Sequence, residues 1–223
     1  MLRHAAPRFI WFLLLAGLAI VLWGRRDDIA RISGMASPTS YGAFQAWVRE
    51  DNARRSEFVA LQAYLRSKQV DSIVPAWQLT RIDEHYARRC DLSVFRVPPR
   101  ELWPNVVEPL RLVRDEVVPA VGEVQVLSSY RTPELNTCAR GASRSNHLDF
   151  AALDLATATR QGGAEFYQSL CAMQDDAGAA SLMGLGAYYD PARPTYAGGR
   201  FHIDASGYRS WGSSYTSASS PCR

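Results

Sequence analysis

AALDLA, residues 151–156, closes the run SNHLDFAALDLA (145–156) and reads as a short strand entered from a polar loop. EVQVLSS (123–129) alternates as a half-buried strand does, and LGAYY (185–189) and RFHIDA (200–205) are further short strand candidates, bounded by glycine, proline or polar residues. Between AALDLA and LGAYY lies AEFYQSLCAMQDDAGAA, whose spacing predicts an amphipathic helix over about residues 164–176.

Upstream the periodicity is helical. Phe44, Trp47, Val48, Phe58, Leu61 and Leu65 recur at three- and four-residue intervals, interrupted by REDNARRS, and predict two helices or one long one. Another helix is expected over about residues 105–118, with Val106, Leu110, Val113 and Val117 on one stripe. Asn105 and Glu108 stand there at capping-box spacing, with Pro109 near the first turn. The class that follows is α+β, with helices packed on a small, mostly antiparallel sheet. No internal repeat is visible, and the closing SSYTSASSPCR is polar and reads as irregular.

At 223 residues and 47% hydrophobic content, the chain can bury one full-sized core. Its net charge of +3 comes from charges scattered without a long basic block, so it carries no footprint of nucleic-acid binding. Residues 9–24, FIWFLLLAGLAIVLWG, are uncharged and apolar on every helical face. As a helix they span roughly 24 Å, close to the ~30 Å of a hydrocarbon core. The segment runs directly into RRDD with no small-residue cleavage site nearby, so residues 1–28 read as an uncleaved membrane anchor with Arg8 and Arg25 at the interfaces. A cleaved signal peptide is the alternative. Residues 29–40, with Ser33, Gly34, Ser37, Pro38 and Ser40, have linker composition, and the globular part is expected over 41–223.

Cys90, Cys138, Cys171 and Cys222 are far apart, with no C-x-x-C pair, which argues against a zinc knuckle. Behind an export-like segment they suggest disulfides formed in an oxidising compartment. Three pairings are open. Cys90 with Cys138 and Cys171 with Cys222 is the pairing we favour, the second tying down the tail.

His147, Asp154 and His202 can supply two imidazoles and one carboxylate to a single divalent ion. Three protein ligands leave a position for water, the arrangement of a catalytic metal site. The map lets them converge: His147 ends the loop entering a strand, Asp154 lies on that strand and His202 on the last one, and strands lie about 4.8 Å apart. His202 and Asp204 share a face by the two-residue period, so Asp204 is either a partner behind a histidine ligand or an acid beside the bound water. Of the other histidines, His4 precedes the anchor, and His85, inside RIDEHYARR, reads as a solvated surface residue.

SSYRTPELN (128–136), SNHLDFAALDL (145–155), GLGAYY (184–189) and FHID (201–204) occur in an order that resembles the bacterial zinc D-Ala-D-Ala peptidases. These include VanY-like carboxypeptidases and peptidoglycan endopeptidases that share a fold with the hedgehog signalling domain. The resemblance spans about residues 127–211 and implies zinc as cofactor, held by His147, Asp154 and His202. It implies that Arg131 binds substrate and stabilises charge on the carbonyl oxygen, and that Ser145 and Tyr130 contribute to substrate binding. The implied reaction is hydrolysis of a peptide bond in peptidoglycan stem peptides, either trimming a terminal D-alanine or opening a crosslink. With the anchor and the cysteines, the expected setting is a monomer in the bacterial inner membrane with its domain in the periplasm.

The chain departs from the family pattern at two positions. Phe150 stands where many members have glycine, three residues after the first histidine. Gly199 stands where the family's acidic general base commonly lies, three residues before the last histidine. Asp204 is the leading substitute base and Asp149 the second. The missing acid motivates an alternative, a zinc-bearing but catalytically inactive wall-binding module.

Overall fold

The computed structural model describes residues 37–157, 162–193 and 198–222. The expected anchor and most of the expected linker lie outside them, and among the described residues no helix is long and apolar enough to cross a membrane. The chain divides after residue 43 into two compact units, and the larger, residues 44–223, holds every strand among the described residues.

Two helices, not one, account for the first periodic stretch: α1 (Tyr41–Arg49) and α2 (Asn52–Ser67). Asp51 separates them, because its carboxylate accepts the free N–H groups of Ala53 and Arg54 at 2.8 and 3.1 Å and so starts α2 anew. Phe44 packs edge-on against Phe58 and Phe95, with ring centroids 4.8 and 5.6 Å away. A short helix α3 (Glu84–Arg89) follows, capped by the Asp83 carboxylate on the Tyr86 N–H.

The expected helix at 105–118 is longer and less regular than its sequence pattern. It opens as a 3₁₀ segment (Arg100–Val106), continues as α4 (Val107–Leu112), widens into a π turn (Val113–Val117) and closes as α5 (Val118–Val121). Asn105 is therefore inside the run and does not cap it. Its side-chain amide donates to the Asp149 carbonyl at 2.8 Å instead. Pro119 offers no N–H, and in the turn before it the Val118 N–H reaches back to Val113. The stripe itself holds: Val106, Leu110, Val113 and Val117 are all fully buried.

Among the described residues the sheet has five strands in the order β1-β2-β4-β3-β5: β1 (Val124–Ser128), β2 (Ala152–Thr157), β3 (Gly184–Ala187), β4 (Arg200–Asp204) and β5 (Arg209–Trp211). Helix α6 (Pro133–Cys138) lies between β1 and β2 in the chain, and α7 (Ala164–Ala177) follows β2. All neighbours are antiparallel except β3 and β5, which run parallel, so the sheet is mixed. Three residues, RSW, are too few to announce β5 by alternation.

Strand alternation sorts the sheet into two faces. Val126, Leu153, Leu155, Leu185, Phe201 and Ile203 form one core with Tyr167, Leu170 and Met173 of α7 and with the stripe of the α4 run. Burial of side chains of this size contributes about 1.5–3 kcal/mol each. The opposite face carries Asp154, Gly184, Gly186, His202 and Asp204.

Both disulfides form in the favoured pairing, Cys90 with Cys138 and Cys171 with Cys222. The first joins the end of α3 to the end of α6, and the second ties the tail to α7. They close chain segments of 48 and 51 residues. On chain-entropy grounds each stabilises the fold by about 2–4 kcal/mol. Chemical denaturation of a Cys171→Ser/Cys222→Ser variant is expected to show a loss of that order, and thiol titration of the denatured, unreduced parent is expected to find none free.

Candidate metal centre

Register brings the first two candidate ligands together. In the antiparallel pairing of β2 with β4, Asp154 stands directly opposite His202. His147 enters from the turn before β2, whose backbone is pinned to the segment after β1 by the Arg131 N–H donating to the His147 carbonyl at 2.8 Å. The Nε2 of His147 and the Nδ1 of His202 then face the two Asp154 carboxylate oxygens at 3.4 and 3.2 Å. All three side chains are buried, and one donor atom from each lies within 4.8 Å of the others.

The far sides of both rings fix which nitrogen is free to coordinate. His147 Nδ1 is hydrogen-bonded to the Ser129 carbonyl, which can only accept, so that nitrogen carries the proton. His202 Nε2 meets the Asp204 carboxylate at 3.0 Å and likewise donates. The lone pairs of His147 Nε2 and His202 Nδ1 consequently point at a carboxylate, an arrangement that calls for a cation between them. Such backing from carbonyl and carboxylate is how metal-binding histidines are held in place. The donor set of two neutral imidazoles and one carboxylate suits a divalent transition-metal ion.

The charge states agree with this geometry. Burial would raise the Asp154 pKa, but Arg200 and the two histidines outweigh it and hold the carboxyl well below its usual range. Burial lowers the His147 pKa against the pull of Asp154. In His202 burial is overcome by hydrogen bonds to Asp154 and Asp204, and the pKa rises.

Three side chains that sequence reading did not single out complete the site. Arg200 donates to Asp154 Oδ2 with one arm and to Asp83 with the other. Arg209 grips Asp204 with both arms, at 3.0 and 2.7 Å. Trp211 packs against the His202 ring with centroids 5.0 Å apart. The last two reach across β3 only because its facing residues are glycines. A Cβ at Gly184 would fall 2.6 Å from the Asp204 carboxylate and Arg209, and one at Gly186 within 2.9 Å of Trp211 and His202. The G-x-G spacing in GLGAYY was the signal for it.

The trio opens on a groove of about 1250 Å³, which Arg131 and Ser145 also line. Tyr130 does not. Side chains alternate after β1, so Arg131 faces the groove while Tyr130 turns into the core and onto a separate shallow pocket beside Arg96 and Glu134. Asp149 is exposed and is not a groove-lining residue. Asp204 sits behind the His202 ring, completely buried, held by Arg209 and by the Ser206 N–H at 2.9 Å. That place suits orienting His202, with the carboxylate on the Nε2 side of the ring and Nδ1 on the Asp154 side. His85 is exposed and lines the groove rather than standing apart from it.

Phe150 has a left-handed backbone, with φ of 56°, which explains why glycine suits this position. The strain costs about 1–3 kcal/mol. The ring offsets it by being fully buried in the main core.

No protein-family model, curated protein or solved structure matches the chain.

Calorimetric titration with zinc is expected to show about one ion per chain, lost in His147→Ala and His202→Ala and weakened about 10–100-fold in Asp204→Asn. Affinity should fall on acidification, because both coordinating nitrogens must be unprotonated and His202, with its raised pKa, takes up a proton first. In denaturation, Phe150→Gly is expected to lose about 2–4 kcal/mol, the cavity outweighing the relieved strain. A more stable variant would show that the backbone strain outweighs the burial of the ring.

Proposed function

We propose that this chain is a zinc-dependent peptidase acting on the stem peptides of bacterial peptidoglycan. The observation that carries the reading is a buried His-Asp-His trio, each ring locked from behind, at an open groove that also presents Arg131. Zinc bound by His147, Asp154 and His202 supplies Lewis acidity and brings the pKa of a coordinated water towards ~7.

The chain's own residues account for orientation and charge. Arg131, steadied by Asn136 at 3.3 Å, offers N–H donors to a carbonyl oxygen as it gains negative charge. Ser145 offers a hydroxyl to the peptide backbone from the same groove. Ser129 and Asp204 keep each ring in its coordinating tautomer. His85 has no hydrogen-bond or ion-pair partner among the described residues and is the groove side chain we assign to proton transfer between water and the leaving amine. The apolar run at residues 9–24 and the two disulfides support a periplasmic domain tethered to the inner membrane.

One observation favours a second reading, the zinc-bearing but inactive wall-binding module. Among the described residues every carboxylate that lines the groove is engaged by an arginine: Asp83 and Asp154 by Arg200, and Asp204 by Arg209.

The full chain in detergent, incubated with purified peptidoglycan, is expected to release peptide products that a chelator abolishes. His147→Ala should release none, and His85→Ala should act about a hundred-fold more slowly. Equal release by the parent and His147→Ala would overturn the peptidase reading. A parent that holds zinc and binds wall material without releasing product would establish the binding module.

A further inference from the structure

We infer that the loop at residues 139–146 forms an anion subsite, and that the substrate is a peptide carrying free carboxylates beside the bond to be cut. The inference rests on the proposed peptidase reading and narrows its substrate class.

The charge balance of the groove points there first. Among the described residues five arginines and three aspartates line it, a surplus of two positive charges before any metal adds its own. Arg200 and Arg209 are consumed by Asp83, Asp154 and Asp204. Arg131, Arg140 and Arg144 remain without a carboxylate partner among the described residues, and all belong to one short stretch of chain. An anionic ligand would find uncommitted positive charge on that stretch, beside the proposed metal centre.

The loop that presents these cations is built, not loose. The Cys90–Cys138 disulfide fixes its start at the end of α6. The Arg140 N–H donates to Thr137 at 3.1 Å, Gly141 to Asn136 at 2.9 Å and Ser145 to Ala142 at 3.2 Å, while the Asn136 amide donates to the Ala142 carbonyl at 3.0 Å. Arg140 itself holds a left-handed backbone, φ 55°, just past the helix end, where glycine is the residue without strain. Gly141 has to be glycine for another reason: a Cβ there would lie 2.8 Å from the Arg131 guanidinium. The turn thus keeps Arg131 close to the same face as the two exposed arginines.

Aromatic groups elsewhere in the groove give it a second, uncharged character. Tyr188 and Tyr215 pack with centroids 5.6 Å apart and line the groove together with Trp211. A bound peptide therefore meets cations on one segment and aromatic rings on another, so its anionic groups set its direction. Guanidinium forks recognise carboxylates with two parallel N–H bonds, and do so more strongly in a partly desolvated groove than on open surface.

The test compares native peptidoglycan with the same material after its carboxylates have been converted to amides. Zinc-loaded full chain in detergent is assayed by co-sedimentation with each material and by product release. Amidation is expected to weaken wild-type binding about ten-fold or more, with the loss in turnover falling on KM. Arg140→Gly/Arg144→Gln should bind native material as weakly as wild type binds amidated material, and amidation should then change its binding less than about two-fold. Because glycine relieves the left-handed position, lost binding in that variant cannot be assigned to misfolding if its melting temperature and zinc stoichiometry match the parent. Product release and binding that ignore both amidation and the arginines would overturn the subsite while leaving the peptidase. Amidation-sensitive, arginine-dependent binding without product from any material would establish the subsite and overturn the peptidase.

Discussion

The pairing of Asp154 with His202 across β2 and β4 is the contact on which the rest of the structure depends. The register that places these ligands side by side also sends Leu153, Leu155, Phe201 and Ile203 into the core on the other face. A slip of β2 by one residue would drive the Asp154 carboxylate into the core and lift Leu153 and Leu155 into the groove. Hydrophobic burial, the dominant driving force in folding, therefore enforces the ligand geometry. The candidate ligands are thus carried by paired central strands packed on the main core, and such rigid elements hold a site more precisely than loops do.

Around that pair the buried charges form a closed set. Burial works against the charge on Asp154 and Asp204, and each is offset by an arginine and a histidine. Buried ion pairs of this kind contribute little net stability, because desolvation consumes most of their attraction. Their consequence here is positional. Arg200 occupies one oxygen of Asp154 and leaves the other facing His202 Nδ1, while Arg209 holds Asp204 against His202 Nε2. The bare backbone of β3 makes the second of these possible, so two glycines support the metal site as directly as its polar residues do.

Much of the fold was legible in the sequence because its signals were local. Strands β1 to β4, helices α1, α2 and α7, and the buried stripe of the α4 run all follow from periodicity and turn residues. The trio was legible because histidines are scarce here and two of them lie beside strand-like segments. What stayed hidden depended on distance or on very short elements. Arg200, Arg209 and Trp211 acquire their roles from partners on other strands, and β5 has only three residues. Tyr130 was misplaced because a motif treats neighbours alike, while a chain leaving a strand turns consecutive side chains opposite ways. Asp204 was ambiguous between two roles until the nitrogen it binds was known.

The walls of the groove lie beyond the main core, and that explains where the disulfides fall. The wall carrying Arg131 rests on a small satellite cluster of Ile82, Ala87 and Leu135, with Tyr86, Cys90, Leu92 and Val94 at its margin. So few apolar side chains give α3 and α6 little reason to stay together, and the Cys90–Cys138 bond supplies it. The segment after β5 has even less: Tyr215 is 71% exposed, and the tail bonds mainly to its own serines and threonines. The Cys171–Cys222 bond ties that segment to α7, one of the helices on which the sheet is packed. Both crosslinks thus act where hydrophobic burial runs out, and a groove with covalently held walls can present its cations and aromatic rings without first ordering them. Any ligand of the groove would then forfeit less conformational entropy on binding.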